Sequence, residues 1–101
     1  MRKITKESIE KFLNNEPFNK SNMSVACIDN ETWLQLHGNT IAKIKRTNKG
    51  KKLFISNCGW FSNTTKERLN GLPNVQIHQK NWDWYLNGNL WDGREIEVKL
   101  F

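Results

Sequence analysis

Residues 32–57 read TWLQLHGNTIAKIKRTNKGKKLFISN, and this stretch decides the architecture. Thr32–His37 alternates, with Leu34 and Leu36 on one face, as a half-buried strand does. Gly38-Asn39 is a two-residue hairpin signal, because glycine at the first central position permits the positive φ of a type II′ turn. That turn pairs His37 with Thr40 and Leu36 with Ile41. The return strand, Thr40–Arg46, puts Ile41 and Ile44 on opposite faces, so a bulge is expected within it. Asn48-Lys49-Gly50 turns the chain again and Lys52–Asn57 brings it back. The stretch therefore reads as an antiparallel meander.

Working outward toward the N-terminus, Ser24–Ile28 is a further strand closed by Asp29-Asn30. Residues 5–14 form an amphipathic helix with Ile9, Phe12 and Leu13 on its apolar face. Thr5 is its expected cap, Ile4 and Ile9 have the spacing of a hydrophobic staple, and Pro17 blocks continuation. Toward the C-terminus, Thr64-Thr65-Lys66-Glu67 has the pattern of a capping box. It opens a short helix, Thr65–Asn70, with Gly71 supplying a left-handed ending before Pro73. Val75–Gln79 and Trp82–Leu86 follow as strands, the second with Trp82, Trp84 and Leu86 on one face. Asn87-Gly88 is the strongest short hairpin signal and sets Leu86 opposite Asn89, Tyr85 opposite Leu90 and Trp84 opposite Trp91. Asp92-Gly93 precedes a last strand, Arg94–Leu100, with Ile96, Val98 and Leu100 inward. The fold class is α+β: an N-terminal helix, an antiparallel meander, a short capped helix and C-terminal hairpin strands. A length of 101 residues fits one domain, 1–101, built around a single core.

The formal net charge is +6, from 16 Lys and Arg against 10 Asp and Glu. A basic balance points to an anionic partner, either nucleic acid or an acidic protein face. No apolar run approaches the ~18 residues of a membrane span, and MRKITKESIEKF at the N-terminus has no apolar stretch of a signal peptide. The expected location is a cytosol, where Cys27 and Cys58 stay thiols.

Little in the sequence supports chemistry. Cys27, His37, Cys58 and His78 are the soft ligands, scattered without zinc-site spacing. Cys58 before Gly59 would need His37 or His78 as its base, and a buried thiol at a strand end is the expectation. There is no GxxxxGK[ST] or GxGxxG phosphate loop. Glu95 and Glu97 share the solvated side of the last strand. No cofactor is implied, and the protein reads as a non-enzyme.

Two features remain. Residues 43–52, KIKRTNKGKK, carry Lys43, Lys45, Arg46, Lys49, Lys51 and Lys52 without one acid. A hairpin with such a tip can lie along a phosphate backbone or reach into a groove, or it can serve as a solvated loop whose lysines deter edge pairing. The second feature is five tryptophans. Trp82, Trp84 and Trp91 cluster on the Asn87-Gly88 hairpin, where exposed rings could stack on bases or anchor a protein. Trp33 and Trp60 are expected in the core.

LHGNTIAK (36–43), ISNCGWFSNTTKERLNGLP (55–73) and WYLNG (84–88) together resemble a small domain family of tailed phages and prophages. Its members carry a His-Gly-x-Thr-Ile-Ala segment, here His37, Gly38, Thr40, Ile41 and Ala42. They also carry a Gly-Trp-x-x-x-Thr-Thr-x-x-Arg-Leu-Asn segment, here Gly59, Trp60, Thr64, Thr65, Arg68, Leu69 and Asn70. The resemblance covers roughly residues 32–91. Alanine is usual in the family where this chain has Cys58, which counts against a thiol nucleophile. The resemblance implies an accessory protein acting in a bacterial host's cytoplasm, and no reaction.

Two functions follow as expectations. One is nucleic-acid binding through the basic hairpin and the aromatics. The other is inhibition of a host factor or bacterial defence system, of anti-CRISPR or anti-restriction type, by covering an acidic protein surface. Neither requires a membrane.

Overall fold

The computed structural model of the chain describes residues 2–100. Its elements in chain order are α1 (Lys3–Leu13), β1 (Phe18–Lys20), β2 (Met23–Ile28), β3 (Glu31–Leu36), β4 (Asn39–Thr47), β5 (Gly50–Ile55), α2 (Asn63–Leu69), β6 (Ile77–Lys80), β7 (Asp83–Leu86), β8 (Asn89–Trp91) and β9 (Ile96–Val98). They form a six-stranded antiparallel sheet, β1-β2-β3-β4-β5-β9, and a three-stranded one, β6-β7-β8. The α+β class and the antiparallel meander are as the sequence predicts. No described helix is long and apolar enough to cross a membrane.

The meander buries one face. Leu34 and Leu36 of β3, Ile44 of β4 and Leu53 and Ile55 of β5 point into the core beneath Phe12 of α1. The opposite face carries half-buried Trp33, Lys43, Lys45 and Phe54, with Trp33 paired to Lys43 and Lys43 to Phe54 across strands. Trp33 therefore covers the outer side of the sheet, where its indole N–H donates to Glu31, instead of joining the core.

The β3–β4 turn differs from expectation by one residue. His37 and Gly38 are the central pair, with φ of 51° and 81°, and Leu36 pairs with Asn39. Positive φ at both positions is a type I′ turn, and histidine tolerates the left-handed region better than most side chains. Leu34 then faces Ala42 while Gln35 faces Thr40, so Ile41 is the extra residue of a bulge and both Ile41 and Ala42 are buried. The bulge agrees with the sequence reading, and this register is its cause.

Both helix starts also differ. α1 begins at Lys3 with Arg2 as an N-cap that makes no side-chain bond. Thr5 is buried, because its hydroxyl is used between helices: it donates to Glu67 Oε1 at 2.6 Å and accepts from Arg68 Nη1 at 3.0 Å. α2 begins two residues earlier than the Thr64–Glu67 pattern suggests. Ser62 is its cap, accepting from the Thr65 backbone N–H at 3.1 Å. Glu67 is thereby free to face α1, where it also pairs with Arg68. Arg68, 2% exposed, reaches Asn22 Oδ1 at 3.3 Å as well, so one guanidinium joins α1, α2 and the β1–β2 turn. Gly71 does not take a left-handed ending. A Cβ there would lie 2.3 Å from Ile9 Cδ1 and 3.0 Å from Thr5 Cγ2, so a larger residue just after α2 would have to displace side chains of α1.

The second sheet follows the Asn87-Gly88 prediction register for register: Leu86 faces Asn89, Tyr85 faces Leu90 and Trp84 faces Trp91. Its other turn carries no glycine signal and departs from the sequence reading. Asn81 and Trp82, with φ of 50° and 72°, form the turn between Lys80 and Asp83, so Trp82 is outside the strand. The last strand is shorter than Arg94–Leu100 and joins the first sheet at β5, with Ile96 exposed at the edge and Val98 and Leu100 buried. Phe18–Lys20, which has no strand signal in the sequence, adds β1 at the opposite edge.

Candidate functional site

The basic strip divides into two halves. Lys43 pairs with Glu95 at 3.1 Å. Lys45 sits over the Phe54 ring, 5.2 Å from its centroid, a cation–π contact. Arg46 donates to Thr32 Oγ1 at 2.8 Å and to Asn15 Oδ1 at 3.4 Å, tying β4 to the end of α1. These three cations have partners within the fold. Lys49, Lys51 and Lys52 are exposed at the β4–β5 tip, and none takes part in an ion pair among the described residues. They are the cations of the strip whose side chains are exposed and have no partner among the described residues.

The tryptophans divide too. Trp84 and Trp91 are buried, with ring centroids 6.3 Å apart, and the Trp91 indole N–H donates to the Arg94 carbonyl at 2.9 Å. They are core. Trp82 is 90% exposed. Beside it, exposed Phe61 packs edge-on against Trp84 and exposed Leu90 completes an apolar patch rimmed by Asp83 and Asp92. Carboxylates there repel phosphate, so this patch and the lysine tip differ in the partner they suit.

Trp60, expected in the core, is 60% exposed. The segment before it explains why. Ser56 Oγ and Asn57 N–H both donate to the Gly93 carbonyl, and the Asn57 side chain accepts from Gly59 N–H at 2.8 Å. Cys58 and Gly59 then take φ of 54° and 83°, and the chain leaves the sheet with Trp60 on its outside. Cys58 is likewise exposed, its thiol donating to the Thr40 carbonyl, and both cysteines are free. His78 is stacked on Tyr85. Among the described residues no group of three or more His, Cys, Asp or Glu side chains gathers as a metal site would.

Trp60 instead walls a hollow of about 340 Å³, with Leu36 and Ile41 also lining it and His37, Asn39, Ser62, Thr64 and Thr65 supplying polar groups. The two sequence segments of the resemblance, separated in the chain by β5, meet here. Their meeting was readable as a motif pair but not as a cavity, since the pairing depends on where the chain goes after Asn57.

The fold shifts the titration of Glu67. Burial acts to raise its pKa, but hydrogen bonds from Thr5, Arg68 and the Arg2 backbone outweigh burial and hold it below its ordinary value. It serves the α1–α2 junction, distant from both the tip and the patch.

The family model of the Kyanoviridae Gp96 protein matches residues 1–100. No curated protein and no solved structure matches the chain. The chain belongs to the Kyanoviridae Gp96 protein family, a phage protein family.

Proposed function

We propose, with membership of the Kyanoviridae Gp96 protein family as the premise, that the chain is a non-catalytic phage accessory protein of the host cytoplasm that binds nucleic acid at the β4–β5 tip. The observation carrying this reading is the division of the basic strip: Lys43, Lys45 and Arg46 have internal partners, while Lys49, Lys51 and Lys52 have none among the described residues. Phosphate contact releases counterions, so binding should weaken linearly in log–log terms as salt rises. The test is the triple variant Lys49→Gln, Lys51→Gln, Lys52→Gln. Its salt slope should fall by up to ~0.9 for each phosphate no longer neutralised on duplex DNA, or ~0.7 on single strands. A folded triple variant with wild-type affinity and an unchanged slope removes the tip from the function.

A specific observation also favours inhibition of a host or defence protein. Trp82 is held in solvent by a left-handed backbone, next to Phe61 and Leu90 and between Asp83 and Asp92. Exposed tryptophans are typical anchors of protein interfaces. The matching surface would be an apolar recess bordered by cations. Affinity capture from nuclease-treated host lysate with wild type and with Trp82→Gly tests it: one protein retained by the first and lost by the second supports it, and equal recovery by both ends it.

A further inference from the structure

We propose that the hollow between the β3–β4 turn and the start of α2 holds one unpaired nucleobase, stacked on Trp60 and hydrogen-bonded at its edge by His37, Asn39 and Thr64. This rests on the nucleic-acid reading and names its ligand as a single strand.

A base needs a flat apolar surface for its ring and donors and acceptors around its plane. It carries no charge there. The hollow fits each requirement. Its lining contains no acid, lysine or arginine. Trp60 offers an exposed indole, and Leu36 and Ile41 are buried apolar residues at the other side. Its volume of about 340 Å³ lies in the range of small-molecule sites, ~300–1,000 Å³.

The polar groups also separate by role. Ser62 and Thr65 are occupied with each other, their hydroxyls 2.9 Å apart, and with the α2 cap. The His37 imidazole, the Asn39 carboxamide and the Thr64 hydroxyl make no hydrogen bond among the described residues. Together they offer both donors and acceptors, as recognition of a base edge requires. His37 is kept at the rim by its place in the type I′ turn. The hollow lies at the Asn39 end of β4 and the lysine tip at the Thr47 end. Eight residue steps at ~3.3 Å put them roughly 26 Å apart, within reach of one strand, since single-strand sites span ~4–16 nucleotides.

The experiment is an NMR titration of the isotope-labelled protein with adenosine, guanosine, cytidine and thymidine, which carry no phosphate. Saturable shifts confined to Trp60, His37, Asn39 and Thr64, abolished in Trp60→Leu, are expected. Trp60→Leu should also weaken a single-stranded oligonucleotide by about fivefold to 150-fold, the range one stacked base supplies, with its salt slope unchanged. Thr64→Val, which keeps the shape of the side chain, should alter the ranking of the four nucleosides. Shifts scattered over the surface, or equal shifts in Trp60→Leu, overturn the base site. If nucleosides fail while the lysine variant loses oligonucleotide binding, the pocket falls and the phosphate reading stands. If nucleosides bind in the hollow and oligonucleotides bind no tighter, the base site stands and the tip reading falls.

Discussion

Trp82 and Trp84 are two residues apart, and alternation puts them on the same face of a strand. In the structure Trp84 is 2% exposed and Trp82 90%. The difference comes from the backbone between Lys80 and Asp83. There the chain reverses through two left-handed residues, so the period of two that governs strand side chains starts only at Asp83. Trp60 and Trp91 repeat the contrast. Trp91 is placed by an Asn-Gly hairpin and is buried, whereas Trp60 follows the left-handed Cys58-Gly59 pair and is turned outward. Turns decide which aromatics become core here, and hydrophobicity does not.

The largest expected effect tests that contrast directly. Trp84→Ala should cost about 3–5 kcal/mol, the usual loss for a buried large aromatic. Trp60→Ala should stay within roughly 1 kcal/mol, since surface changes are usually small. Equilibrium denaturation of both variants gives the comparison, and similar costs for the two would erase it.

Next comes the segment that turns Trp60 outward. Gly93 is buried at φ 87°, accepts from Ser56 and Asn57, and a Cβ there would lie 2.3 Å from the Asn57 amide atoms. Gly93→Ala combines a left-handed penalty of ~1–2 kcal/mol with displacement of a buried side chain. We expect about 2–3 kcal/mol in total. Altered NMR signals at Cys58 and Trp60 should accompany the loss. A destabilised variant with both signals unmoved would mean that the Gly93 contact does not set the course of the chain.

Much of the fold was legible because its signals were local. The Asn87-Gly88 register, the meander and the presence of a bulge in β4 all follow from turn chemistry and alternation between near neighbours in the chain. Two turns escaped locally, because His37-Gly38 and Asn81-Trp82 take left-handed backbone that their residue types do not announce; the rest was decided by partners distant in sequence. Thr5 and Glu67 look like capping residues, but they meet each other across 62 positions and leave Ser62 as the cap. Gly71 looks like a helix terminator, but the constraint on it is Ile9. The candidate sites divide the same way. A run of six cations is visible in the sequence; which three of them are already used internally depends on Glu95, Phe54, Thr32 and Asn15. The Trp60 hollow needs two segments to converge, and their common membership of one motif pair was the only trace of it.

The pH axis sharpens the contrast because tryptophan does not titrate. Glu67 has a lowered pKa in the folded state, so its contribution to stability is complete above its ordinary value of 4.5 and is lost as pH falls through the lowered folded value. Glu67→Gln should therefore be less stable near neutral pH, by roughly 1 kcal/mol, and should lose less of its remaining stability on acidification. Chemical denaturation at neutral pH and again well below the ordinary carboxylate range measures both. Variants at Trp60 and Trp82 should keep the wild-type acid profile. An unchanged profile in Glu67→Gln would show that the α1–α2 junction does not depend on that carboxylate's charge.

The smallest effect carries an unusual sign. Trp82 occupies the second central position of a type I′ turn, where glycine is favoured, and its φ is 72°. A side chain in the left-handed region costs ~1–2 kcal/mol. Against this, glycine loses more backbone entropy on folding, by ~0.5–1 kcal/mol. A ring 90% exposed contributes little packing to offset either figure. Trp82→Gly should therefore be neutral to about 1 kcal/mol more stable than wild type, while Trp84→Gly in the next pleat should be severely destabilised. A thermal or denaturant midpoint at or above the wild-type value is the expected readout. Such a result would mean that the turn tolerates a tryptophan at a cost to the fold, which is the pattern of a residue kept for contact with a partner. A clear loss of stability would instead assign Trp82 a packing role against Phe61 and Leu90, and the exposed patch would then be an extension of the core.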